Sequence, residues 1–198
     1  MSLNSTHNAA WWDEFYTAHP HGAYGKAPSP FLVDMLPRLK KGPTLDVGCG
    51  EGRQSVYLAQ KDFEVTGIDF SPVAISRAQA LAKDSGVTLT LKTQDLDFFI
   101  VPLMAYHTMV VSNLKAPLTT LMTLTRGLAP GGTLLVEAPL LASHTPSLKL
   151  ASQSPLGYKS NELLGFVKDL QLLFYSELAC EGDAPVVRLL ARKNIKLG

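Results

Sequence analysis

The sequence predicts an α/β fold built on a parallel sheet, and three observations predict it. A short apolar run at 44–47 breaks into glycines at alternate positions, Gly48, Gly50 and Gly52. Strand-like and helix-like patterns then alternate down the chain, as successive βαβ units require. Carboxylates stand where the first three apolar runs end (Asp46, Asp69, Asp95), and open α/β sheets bind ligands at those carboxyl ends.

The elements follow in order. Residues 44–47 form the first strand. Lacking Cβ atoms, the three glycines let the chain turn sharply and lie against a flat ligand, and Asp46 sets an acceptor-only group where the turn opens. The spacing is G-x-G-x-G, with Arg53 where the dinucleotide fingerprint G-x-G-x-x-G has its last glycine. A ligand without a pyrophosphate therefore suits this turn better. Residues 52–60 read as a helix with Val56 and Ala59 on its inner face. Residues 63–69 are a second strand, and Ser71-Pro72 opens a helix with serine as N-cap and proline at the first position. That helix runs to about Lys83 and ends near Gly86. A third strand spans 87–91 and ends toward Gln94-Asp95-Leu96; a buried fourth spans 109–111, followed by Ser112-Asn113. A helix over 117–128 is stopped by Ala-Pro-Gly-Gly at 129–132, and 133–137 is the fifth strand. Residues 138–159 lack periodicity, as lids of this length do. Ser160 caps a short helix to about Val167. Residues 170–179 and 186–191 close the fold as an antiparallel pair around a turn at 181–183.

Composition bounds the function. The 198 residues are 46% hydrophobic and 18% charged with net charge +1, which describes a globular protein without a nucleic-acid footprint. Cys49 and Cys180 stand too far apart for a small disulfide framework and read as reduced thiols in the cytoplasm. The N-terminus lacks the features of a signal peptide, and the longest apolar run, 98–111, is interrupted by Pro102 and His107 and is too short to span a bilayer. His19 and His21 lack a cluster of further ligands, so no metal is expected. His107 reads as a structural histidine, and His144 as an exposed loop residue.

Taken together, these segments resemble the class I S-adenosylmethionine-dependent methyltransferases, most closely the small bacterial subgroup typified by the tellurite-resistance methyltransferase. The landmarks are Tyr24-Gly25 followed by 28–32, the stretch 45–53 with its Gly-Cys-Gly-Glu-Gly-Arg core, 65–71, Asp95-Leu96, 128–136 and 187–193. The resemblance implies a Rossmann-like, three-layer α/β/α fold with a seven-stranded, mostly parallel sheet of order 3-2-1-4-5-7-6, the last strand antiparallel. It implies one methyltransferase domain over 1–198, with an N-terminal cap at about 8–30 and a lid at about 138–159. The implied activity is methyl transfer from S-adenosyl-L-methionine to a small-molecule acceptor, a thiol or a chalcogen oxyanion among the candidates, leaving S-adenosyl-L-homocysteine. A non-catalytic module that binds the same cofactor is the alternative.

Carried onto matching positions, the resemblance gives each residue a role. Asp46, Gly48, Cys49 and Gly50 form the turn under the methionine end of the cofactor. Arg53 pairs with the cofactor carboxylate or an anionic substrate, or is a solvated helix residue. Asp69 accepts from both ribose hydroxyls, or is a helix-capping carboxylate near Ser71; Phe70 and Ser71 continue that strand end, with Phe70 along the adenine. Asp95 accepts from the adenine amino group, or merely begins a turn, with Leu96 against the ring. Ser112 and Asn113 end the fourth strand beside the sulfonium. Trp12, Phe15 and Tyr16 share one helical face by i, i+3, i+4 spacing; Trp12, Tyr16 and Tyr24 belong to a cover over the cofactor. No catalytic base is evident. The chain departs from the family in reading His107-Thr108 where an acidic residue often opens the fourth strand, and in the apolar stretch 98–104.

Overall fold

The computed structural model describes residues 9–20, 22–141, 157–178 and 185–195. The bulk of the expected lid, His21, His144, Cys180 and the turn at 181–183 lie outside the described residues. Two helices come first among the described residues: α1 (Ala9–Ala18), then α2 (Pro30–Met35), which Ser29 caps by accepting from the Leu32 amide. The alternation follows: β1 (Pro43–Val47), α3 (Arg53–Ala59), β2 (Glu64–Asp69), α4 (Pro72–Asp84), β3 (Thr90–Thr93), β4 (Tyr106–Ser112), α5 (Leu118–Gly127) and β5 (Leu128–Pro139). A short α6 (Glu162–Phe166) and the strands β6 (Leu170–Leu178) and β7 (Val186–Lys193) complete it.

The seven strands lie in the order β3-β2-β1-β4-β5-β7-β6. β1 through β5 pair in parallel, and β7 runs antiparallel to both β5 and β6. Because strand side chains alternate between faces, one face gathers Leu45, Val47, Met109, Val111, Leu134 and Val136 under α5 and α6, through Leu121, Leu124 and Leu163. The opposite face brings Val65, Val110, Leu135 and Leu190 under α2 and α3, through Phe31, Leu32 and Leu58. Both faces are covered, as a parallel sheet needs, and the carboxyl ends of β1, β2, β3, β4 and β5 point the same way. No helix among the described residues is long and apolar enough to cross a membrane.

Several boundaries differ from expectation, each for a physical reason. β3 occupies 90–93 rather than 87–91, because the helix end is closed by Val87 donating to the Ala82 carbonyl, and pairing with β2 starts only at Thr66↔Thr90. Residues 129–132 do not end α5 outside the sheet. They lie within β5 as a bulge, where the register passes from Tyr106↔Leu128 to Thr108↔Thr133 and Gly131 takes φ +71°. β4 begins at Tyr106, so His107 sits in the strand, its Nδ1 2.8 Å from the Lys41 carbonyl. Ser160 is not the cap of α6: its hydroxyl donates to Glu177, and Asn161, in the left-handed region at φ +61°, precedes the helix without a side-chain cap. In the apolar stretch, Phe99 and Val101 pack on the core while Phe98 and Ile100 stand 80% and 87% exposed.

Candidate functional site

The turn after β1 is drawn onto the end of β2. Cys49 N donates to the Ile68 carbonyl at 2.9 Å, and Gly50 N donates to Asp69 Oδ2 at 2.9 Å. Ser71 N takes the other carboxylate oxygen, Oδ1, at 2.9 Å. Two amides thus fix the plane of the Asp69 carboxylate, while each oxygen keeps a further lone pair. Burial raises the Asp69 pKa; the amides of Ser71, Gly50 and Phe70 oppose that rise.

The glycines are required by geometry. Gly48 and Gly50 take φ +65° and +53°, the left-handed region. A Cβ on Gly48 would stand 2.8 Å from Leu114 Cδ2, and one on Gly50 would stand 2.9 Å from the Tyr16 hydroxyl oxygen. The turn therefore presents bare backbone between the loop after β4 and the cap helix.

α1 lies against this turn and the start of α4, fastened by side chains. Asp13 accepts from the Ser71 hydroxyl. Arg77 on α4 donates to the His19 carbonyl at 2.9 Å and pairs with Glu51 at 2.8 Å, and the other Glu51 oxygen accepts from the Ala23 amide at 2.8 Å. Tyr16 is buried, and that burial first, then the Asp69 charge, pushes its phenol well up, so it stays protonated. Its neighbours on the helix form an aromatic ladder, with Trp12 against Tyr16 and Trp11 stacked on Phe15.

The expected site residues separate into groups. Gly48, Gly50, Asp69, Ser71 and Tyr16 are brought together. Trp12 joins them through Tyr16, and Phe70 is half-buried at the carboxyl end of β2. Asp46 supports the turn from beneath: it is 1% exposed, accepts from Ser55 Oγ at 2.6 Å, and is pushed up to about 6 by burial. The Cys49 thiol also points inward, since a Cβ on Gly67 would meet its sulfur at 3.0 Å, and burial drives its pKa well up. Ser71 is fully buried and caps α4, accepting from Ala74 N at 3.1 Å. Arg53 turns to the cap, donating to the Tyr24 carbonyl at 3.2 Å with its guanidinium 5.7 Å from the Tyr24 ring centroid; Tyr24 itself is exposed. Asp95 does begin a turn, accepting from Asp97 N at 2.9 Å, and Leu96 packs on the core. The end of β3 is tied to β2 by Gln94 N donating to the Asp69 carbonyl at 2.8 Å. At the end of β4, Asn113 takes φ +56° and donates its amide to the Glu137 carbonyl at 2.8 Å.

Sequence reasoning missed Asp13, Glu51, Gln54, Ser55, Arg77 and Leu114. Gln54, 3% exposed, accepts from Ser29 N at 3.0 Å and donates to Ser112 Oγ at 3.0 Å. Its partners lie 25 and 58 positions away, so no local spacing marks it. The partners of Asp13 and Arg77 are likewise distant in sequence, Ser71 for the first and His19 and Glu51 for the second. Among the described residues no group of three or more His, Cys, Asp or Glu side chains is arranged to hold a metal ion.

Comparison with known proteins adds a family match. Residues 44–132 match the family described as "Methyltransferase domain". A 2-heptyl-1-hydroxyquinolin-4(1H)-one methyltransferase of Mycobacteroides abscessus is 33% identical over 88 residues, covering 43% of this chain and 38% of that protein. The chain covers only 33 to 42% of the lengths of the first curated relatives it matches. Among solved structures, TehB from Haemophilus influenzae superposes with a TM-score of 0.72 at 20% identity, covering 92% of this chain and 67% of that one. The [4+2]-cyclase SpnF superposes with a TM-score of 0.75 at 17% identity, covering 95% and 97%. At these identities the superpositions speak for the fold alone.

Proposed function

We propose that this chain, which has the class I methyltransferase fold and matches a methyltransferase domain over residues 44–132, transfers a methyl group from S-adenosyl-L-methionine to a small-molecule acceptor. It does so in the cytoplasm, as one domain with its N-terminal cap. The observation that carries this reading is the joint between the glycine turn and Asp69. Bare backbone at Gly48 and Gly50 meets a buried carboxylate whose orientation is set by Gly50 N and Ser71 N. The remaining lone pairs of Asp69 suit two adjacent ribose hydroxyls. The residues present fit the cofactor: Phe70, Asp95 and Leu96 at the ends of β2 and β3 would hold the adenine, the turn would hold the methionine end, and Trp12, Tyr16 and Tyr24 would cover it.

Bound there, the cofactor supplies a methyl group already activated on a sulfonium. The protein's task is then to align the acceptor and exclude water. Buried Tyr16 closes the turn from above, and Ser112 and Asn113 face the acceptor from β4. The named relative acts on a quinolone, and the TehB-like subgroup suggests a chalcogen oxyanion or a thiol; all are small acceptors, and no nucleic acid or membrane enters this reading. A second reading is a non-catalytic module that binds the same cofactor, since this fold by itself does not guarantee methyl transfer: SpnF, which superposes on it, carries the name of a cyclase.

Calorimetry with S-adenosyl-L-homocysteine tests the first reading. Heat is expected from that ligand and none from NADH. Asp69→Ala is expected to weaken binding by at least about tenfold, the loss of charge-assisted hydrogen bonds, in a protein that still unfolds cooperatively. Absence of heat on folded protein would refute the proposal. Binding without labelled product on thiol, quinolone or tellurite acceptors selects the second reading.

A further inference from the structure

Gln54 settles which way a neighbouring proton points. Its Oε1 accepts the backbone N–H of Ser29, and a backbone amide can only donate. The side-chain amide is therefore fixed, and its Nε2, a donor only, faces Ser112 Oγ at 3.0 Å. Ser112 must accept there, so its own hydroxyl proton is turned to a third group. None of the described residues takes that proton. Ser112 is half-buried and is the last residue of β4, in register with Glu137 on β5. The next residue, Asn113, turns the chain away at φ +56°.

We infer that Ser112 Oγ is an oriented hydrogen-bond donor for an oxygen of the methyl acceptor, and that the acceptor class is one carrying an oxyanion or a carbonyl at or beside the nucleophile. Gln54 is the positioning residue that sets the donor's direction. The inference rests on the function proposed above and narrows its substrate. A thiol without such an oxygen gains nothing from this donor. Gln54 also spans the start of α2 and the end of β4, so the cap's second helix and the acceptor-side strand are held by one buried side chain.

An isosteric change separates direction from packing. In Gln54→Glu one carboxylate oxygen still accepts from Ser29 N, while the other accepts from Ser112 and pulls its proton inward. The full chain, saturated with S-adenosyl-L-homocysteine, is titrated with 1-hydroxyquinolin-4(1H)-one and with catechol. At pH 8 Gln54→Glu and Ser112→Ala are both expected to bind the probe about tenfold or more weakly than the parent, and Gln54→Glu is expected to keep its affinity for S-adenosyl-L-homocysteine. As pH falls, the introduced buried carboxyl protonates and becomes a donor again, so the ratio of Gln54→Glu to parent recovers while that of Ser112→Ala does not. Equal probe binding by parent and variants, failure of the parent to bind either probe, or a pH-independent deficit in Gln54→Glu overturns the inference. So does a fall in S-adenosyl-L-homocysteine affinity in Ser112→Ala, because the proton then serves the cofactor. Loss of S-adenosyl-L-homocysteine heat in the parent refutes the earlier reading instead.

Discussion

Asp46 and Asp69 close neighbouring strands, yet one position along the chain separates their surroundings. Asp69 ends β2 and meets two amides, whereas Asp46 precedes the last residue of β1 and points under the turn at Ser55. Burial lifts Asp46 from 3.8 to about 6. Between those values the folded state holds a proton that the unfolded chain has released, so stability is highest below pH 4 for this group and is lost as pH rises to 6. Asp69, also raised, acts in the same direction. The effect of Asp46 is on the order of 3 kcal/mol at most, and Asp46→Asn is expected to flatten the decline, read from urea unfolding at pH 4, 5, 6 and 7. Gly50→Ala forces a side chain to φ +53° against the Tyr16 hydroxyl. About 1–2 kcal/mol of stability is expected to go, with S-adenosyl-L-homocysteine affinity falling further than stability, by calorimetry and urea midpoint. The glycines and Asp69 were legible in the sequence because left-handed backbone and a strand-end carboxylate leave local marks. The inward aim of Cys49 and the bond from Arg53 to the Tyr24 carbonyl were not, since both depend on chain segments far away.

The N-terminal helix α1 lies outside the sheet's hydrogen-bond ladder. α1 is fastened by side chains, with Asp13 on Ser71 and Arg77 on His19 and Glu51, rather than by sheet pairing. An element held by a few side-chain contacts of this kind opens locally before the sheet does. Arg77→Ala is therefore expected to speed amide exchange over residues 9–20 several-fold while leaving exchange in β1 and β4 and the urea midpoint unchanged. Hydrogen exchange with mass spectrometry reads both. Most strands and helices were legible from period and caps; Ser71-Pro72 at the start of α4 is the clearest case, with the serine accepting from Ala74 N. The misplaced boundaries were those decided by distant pairing. β3 begins where β2 offers a partner, and residues 129–132 stay in β5 because β4 runs alongside them. Ser160 resembled a cap, but Glu177 from β6 claims its hydroxyl.

At the scale of the molecule, binding and stability are linked. At a hundredfold excess over its dissociation constant, S-adenosyl-L-homocysteine is expected to add about 2.7 kcal/mol, raising the melting midpoint by about 5–10 °C for a chain of this length. Both tryptophans of the chain, Trp11 and Trp12, lie on α1, so the same titration is expected to shift tryptophan emission; calorimetric binding with unchanged emission would show that α1 does not cover the ligand. The sequence by itself determined the parallel α/β class, the resemblance that carries the strand order, the glycine turn and the strand-end carboxylates, because periodicity, missing Cβ atoms and caps act over a few residues. Only the tertiary structure decided which polar groups meet one another across the protein. Gln54 between Ser29 and Ser112, Asp13 on Ser71 and Tyr16 over Gly50 are contacts between segments separated by tens of residues. A hydrogen bond's direction is settled by the partner it meets, and that partner is chosen when the sheet and its cap close together.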